Sequence, residues 1–190
     1  MEAIYVIAII GILLYVLYSR LIKRRNRALE ALSGIDVQIK KRANLIPNVL
    51  AIAKKFMEHE RALLEDLTAA RTAFEKSYDA GSAADVQDHL KAAEGVQSTL
   101  GRLIAIAENY PDLKSDTVMQ KAQKTYQDVE ANIAAARRFY NSAVTDLNNA
   151  TQIFPSSLVA SMIKIGEMPF YEIDDATPKG AIPAADHLGG

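Results

Sequence analysis

A chain of 190 residues with no cysteine, 22 Lys+Arg against 23 Asp+Glu and 49% apolar residues excludes several classes at once. It has no disulfide framework, thiolate nucleophile, zinc ribbon or iron–sulfur site, and near-neutral charge argues against a dedicated nucleic-acid binder. With 9 Gly, 6 Pro and no Trp, a collagen-like chain or a turn-rich β-sandwich fits poorly, which leaves a mostly helical chain of one domain.

The N-terminal residues form the first predicted element. Residues 3–18 contain no charge, and their apolar side chains are Ile4, Tyr5, Val6, Ile7, Ile9, Ile10, Ile12, Leu13, Leu14, Tyr15, Val16, Leu17 and Tyr18. Counting on to Ile22, with Arg20 able to snorkel, the stretch reaches about 20 residues, enough to cross roughly 30 Å of hydrocarbon at the helical rise. Tyr5 at one end and Tyr15 with Tyr18 near the other suit the headgroup boundary. A cleaved signal needs a positive charge ahead of the apolar core and a small-residue cleavage site behind it. The leader here is Met1-Glu2 and no Ala-x-Ala pattern follows, so residues 1–22 are expected to stay as an uncleaved transmembrane anchor. Arg20, Lys23, Arg24, Arg25 and Arg27 lie at or just after the end of the span and nothing basic precedes it. That asymmetry places the N-terminus outside and the body in the cytoplasm, and the same cations can attract anionic lipid headgroups.

The body, residues 23–168, reads as packed helices. Leu32, Ile35, Ile39, Ile46, Val49, Ala53, Phe56, Leu63, Leu67, Ala70 and Phe74 follow at mostly three- and four-residue steps, with Arg42 and Glu60 in skipped slots. The one breaker is Pro47, expected to kink this helix without ending it. One very long helix is therefore predicted from the membrane to about Asp79. A second runs from Val86 to Ala107 and stops before Pro111. A third, capped by Ser115 or Asp116, carries Met119, Ala122, Tyr126, Val129, Ile133, Ala136, Tyr140, Ala143, Leu147 and Ala150 in heptad-like spacing. After Phe154-Pro155 a short fourth helix is predicted over 158–165, ending at Gly166, and residues 169–190 are expected to be a flexible tail. The fold class is all-α: an N-terminal transmembrane helix followed by a long antiparallel three- or four-helix bundle. A short fourth helix leaves part of the long one uncovered, an apolar edge available for self-association.

Chemistry is hard to find in this pattern. His59 lies in Glu58-His59-Glu60, but Leu63 stands where a zincin would carry its second histidine, and His89 and His187 have no companion at helical spacing. Solvated surface is the better reading of all three. Glu108 and Asp112, with Arg102 and Lys114 nearby, form the one loop cluster of charge, read as a loop held by hydrogen bonds. General acid–base work there would need an enclosing pocket, which a narrow bundle rarely provides. Asn26, Asp36, Arg42, Asn48, Arg71, Arg102, Glu130, Arg137 and Asn141 fall near the seams, where burial would force them to pair and fix helix register. No enzyme activity, cofactor, metal or small-molecule substrate is expected.

Several ordered segments carry a family resemblance: residues 35–48 with Asp36, Arg42, Asn44 and Pro47; His59-Glu60; Ala70-Arg71; residues 107–114 with Glu108, Asn109, Tyr110 and Pro111; residues 136–141 with Arg137, Tyr140 and Asn141; and Phe154-Pro155. In this order they resemble the bacterial LemA family over about residues 20–160. The resemblance implies a single-pass protein of the bacterial inner membrane with an antiparallel helical body, and it supplies no catalytic residues. The expected role is a membrane scaffold that self-associates and organises or remodels the bilayer, its partners being anionic lipid and further copies of itself. The alternative is a tethered adaptor presenting its bundle to an envelope protease or signalling partner.

Overall fold

The computed structural model describes residues 1–172, and every regular element among them is helical. α1 spans Glu2–Ala43, α2 Ile46–Phe56, α3 Arg61–Phe74, α4 Ala83–Ala107, α5 Pro111–Ser115, α6 Thr117–Gln152 and α7 Ser156–Met162. The all-α class and the bundle architecture agree with the sequence reading.

The long helix predicted to Asp79 is corrected in two places. α1 ends at Ala43, the residue whose carbonyl would have accepted from position 47, and Pro47 has no N–H to offer. Pro47 instead sits in the first turn of α2, where a missing donor does no harm. The larger correction lies at residues 57–60. A 3₁₀ turn (Glu58–Glu60) follows Met57, which has left helical backbone at φ −115° and ψ 56°, and the chain reverses. The reversal brings Tyr78 onto Asp36 and Gly81 beside Arg25. Nothing in the spacing of apolar residues marks this turn, because the stripe keeps its period through it.

The body is therefore an up-down-up-down bundle. α1 and α2 lead away from the N-terminal segment, α3 returns, α4 leads away again and α6 returns. α1 packs chiefly on α6 and α3 chiefly on α4. Side chains of Ile35, Ile39, Leu67, Leu100, Leu103 and Leu147 close the space between the two pairs, all within 1% of full burial. Ala28, Ala53, Ala93 and Ala107 are completely buried and let neighbouring backbones approach. The fourth long leg is α3, so the apolar edge expected along an unpartnered helix is covered.

Helix ends follow local chemistry. Ser82 caps α4 by accepting from the Asp85 amide at 3.3 Å, and its hydroxyl donates to the Asp85 carboxylate at 2.9 Å. Asp116 caps α6 by accepting from the amides of Val118 and Met119 at 2.8 and 3.2 Å. α7 stops at Met162, earlier than the Gly166 expected. Lys164 takes the left-handed conformation (φ 56°), and the amides of Lys164 and Ile165 close onto the carbonyls of Ser161 and Ala160.

The last described residues are not a loose tail. Tyr171, placed in the expected flexible segment, is 1% exposed. Two asparagines on α6 hold this extended stretch. Asn148 exchanges both amide bonds with the backbone of Met168, at 2.9 Å each way, and Asn141 does the same with Tyr171 at 2.9 and 3.1 Å. Seven helical residues rise about 10.5 Å and three extended ones about 10 Å, so the two spacings match. The Tyr140 hydroxyl adds a bond to the Pro169 carbonyl at 2.7 Å. The expected tail from 173 to 190 lies outside the described residues.

Candidate functional site

Three features stand out among the described residues: the apolar segment of α1 with its basic collar, and two buried polar clusters. The apolar segment is long and apolar enough to cross a membrane, and Ile4, Tyr5, Ile7, Ile9, Ile12 and Tyr15 are each at least 64% exposed. Val6, Ile10, Leu13, Leu14, Val16 and Tyr18 are also exposed, while Leu17 turns half-buried onto the core and Leu21 is fully buried. The bundle therefore begins where this segment ends. Of the collar cations, Arg20, Lys23 and Arg24 are exposed. Arg25 is half-buried against the turn at Gly81. Arg27 lies over the Phe139 ring at 5.6 Å and 3.9 Å from Asp146.

The first buried cluster joins three helical layers. The Asp36 carboxylate on α1 accepts from the Tyr78 hydroxyl at 2.6 Å and meets His89 Nε2 on α4 at 2.9 Å. Tyr78 stacks on the His89 ring with centroids 3.9 Å apart, and Phe74 leans on it at 4.9 Å. His89 was expected on the solvated surface; its side chain is 5% exposed. The signal was present, since position 89 lies three after Val86 and four before Ala93 on the same stripe. His59 is exposed as expected, and His187 lies outside the described residues.

The second cluster surrounds Arg42, which is 0% exposed. Its guanidinium donates to the Ala93 carbonyl at 2.6 Å, to Glu130 at 3.0 Å and to Gln97 at 3.3 Å. Tyr171 reaches the same guanidinium, yet Arg42 Nε and the Tyr171 hydroxyl both lack a well-formed hydrogen bond. Arg42 thus ties α1, α4 and α6 at one level, and the Tyr171 ring closes that level.

The clusters perturb their phenols. Burial first, then the hydrogen bond and charge of Asp36, push the Tyr78 hydroxyl well above its ordinary value. Tyr140 is raised by burial and by Asp36. Tyr126 and Tyr171 are raised chiefly by burial, in both against the opposing pull of Arg42. Below about pH 10 both folded and unfolded chains hold these protons, so stability is indifferent to them. Above it the unfolded chain releases protons that the native one retains, and stability falls by up to about 1.4 kcal/mol per pH unit for each retained proton. Melting temperature should be flat near pH 8–9 and drop beyond about pH 10. Tyr140→Phe should lower the plateau, through its lost bond to Pro169, yet make the drop shallower.

The sequence-predicted loop cluster is a tie. Lys114 pairs with Glu108 across α5, and both are about half exposed. Of the seam residues named from sequence, Asp36 and Arg42 are buried and paired, and Glu130 and Asn141 are half-buried and paired; Arg71 and Arg137 are half-buried, and Asn26, Asn48 and Arg102 are exposed. Tyr78, His89, Asn148 and Tyr171 complete the clusters without having been singled out for pairing. Among the described residues no group of three or more His, Asp or Glu is placed to hold a metal. An open cleft of about 690 Å³ lies at the α2–α3 turn, with Lys54, Glu58, Arg61 and Glu65 around Met57 and Leu64.

A family model described as the LemA family matches residues 31–183. The chain belongs to the LemA family. No curated protein matches it. The LemA match begins within α1 just beyond the apolar segment and takes in both buried clusters and the docked residues 168–171. Within this LemA chain the segments that carried the resemblance thus include the groups that set bundle register.

Proposed function

We propose that this LemA-family chain is a non-catalytic, membrane-anchored scaffold that self-assembles and organises or remodels the bacterial inner membrane. In this reading the N-terminus lies outside, the apolar segment of α1 spans the bilayer and the bundle stands in the cytoplasm, as the basic collar favours. The observation that carries it is the continuity of α1. It runs from Glu2 to Ala43 with no break, and its far half is a core leg of the bundle. A flexible linker would leave the body's orientation free; a helix shared by span and body fixes that orientation to the bilayer. Exposed Arg20, Lys23 and Arg24 add attraction for anionic headgroups of about 1 kcal/mol each near the surface.

The test uses full-length protein in detergent and in anionic vesicles. Light scattering should give a mass above one chain, and negative-stain images should show ordered assemblies or deformed vesicles. A strict monomer that leaves vesicles unchanged overturns the scaffold. The second reading, an adaptor, is favoured by the cleft at the α2–α3 turn, the end of the bundle farthest from the span. It expects a monomer and one stoichiometric foreign partner crosslinked to residues around Met57 and Leu64.

A further inference from the structure

The end of the bundle next to the apolar segment exposes more apolar surface than its packing requires. Arg42 paired with Glu130 and Arg27 near Asp146 set the antiparallel register of α1 and α6. Carried along at equal rise, that register puts Gln152, the end of α6, level with about Leu21. The turn into α7 therefore lies where α1 leaves its apolar stretch. There Ile153, Phe154, Leu158 and Met162 are 60, 74, 59 and 79% exposed. Leu158 and Met162 are four apart and share one face of α7. The other face, with Val159 and Ala160, is buried, and α7 packs on both α1 and α6. Elsewhere in the described body, large exposed apolar side chains such as Val37, Val118 and Phe139 fall singly in the sequence.

We propose that the α6–α7 turn is a second membrane contact: Ile153, Phe154, Leu158 and Met162 sit in the headgroup–acyl boundary beside the span. The occupant of this patch is the lipid surface because the patch is continuous with the span's own exit from the bilayer. Exposed cations border the same level, Arg20, Lys23 and Arg24 on α1 and Lys164 after α7. Apolar side chains edged by Lys and Arg are the composition of an interfacial element. The contact rests on the anchored reading above, and it gives the bundle two points of support on the bilayer.

The chain has no tryptophan, so single-tryptophan variants report position without a label. Phe154→Trp, Leu158→Trp and Met162→Trp change exposed side chains and leave the core intact. Ile9→Trp, in the apolar segment, reports the anchor, and Val118→Trp, at the opposite end of the bundle, reports bulk water. Each full-length variant is reconstituted in phosphatidylcholine–phosphatidylglycerol vesicles and quenched by dibrominated lipid or by aqueous iodide. The expected result is that positions 154, 158 and 162, like position 9, lose most of their emission to brominated lipid and resist iodide, while position 118 does the reverse. If position 9 is quenched by lipid but 154, 158 and 162 behave like 118, the second contact is wrong and the anchor stands. Shielding of the three from both quenchers would put protein on the patch and overturn the proposal. An unquenched position 9 would overturn the anchor and this contact together.

Discussion

Replacing Arg42 with alanine is expected to lower the unfolding free energy by about 3–5 kcal/mol, the range for breaking a buried ion pair from one side. The guanidinium is fully buried and bonded to the Ala93 carbonyl, Glu130 and Gln97. Its removal leaves an anionic partner and a carbonyl facing a cavity. A double variant, Arg42→Met with Glu130→Leu, should recover much of the loss, because a packed apolar pair needs no charge compensation. Urea unfolding of the solubilised chain followed by circular dichroism measures both. A single variant losing under about 1 kcal/mol, the scale of an exposed pair, would show that the guanidinium contributes no more than a surface ion pair does.

Tyr171→Ala is expected to cost about 3–5 kcal/mol, in the range for deleting a large buried aromatic. Tyr171→Phe is expected to be neutral or mildly stabilising. The hydroxyl is buried without a well-formed hydrogen bond, so removing it relieves desolvation and forfeits no bond. The contrast between the two variants separates packing by the ring from bonding by the phenol. Hydrogen exchange should locate the damage in Tyr171→Ala. Protection should fall first at the amides of Met168 and Tyr171, which Asn148 and Asn141 hold. A Tyr171→Phe variant as damaged as Tyr171→Ala would mean that the hydroxyl is bonded after all.

The helices were largely legible because their apolar residues keep a period near 3.6 and their ends carry chemistry readable in one dimension. Asp116 and Pro111 mark such ends. The reversal at residues 57–60 was not legible. It contains neither Gly nor Pro, and Phe56, Leu63 and Leu67 continue the stripe across it. Contacts distant in sequence, Tyr78 with Asp36 and Gly81 beside Arg25, reveal that α3 comes back. The buried clusters were half legible. Asp36 and Arg42 stand out as charges on an apolar seam, whereas their partners lie 42 to 88 residues further along the chain. The docking of residues 168–171 depends on two side-chain amides seven residues apart on α6. Asn148 looks unremarkable until the segment it grips is in place.

In the anchored reading proposed above, the continuity of α1 has a geometric consequence for any neighbour of the bundle. Adding one residue after Gly11, ahead of the packed Leu17, would rotate everything beyond it by about 100° about the helix axis and shift it by about 1.5 Å. The azimuth at which the bundle faces a neighbour is thus counted in residues of the apolar segment. An insertion series there would act as a dial, returning the body near its starting bearing after about eighteen residues, five full turns, and closest among short insertions at about four or seven.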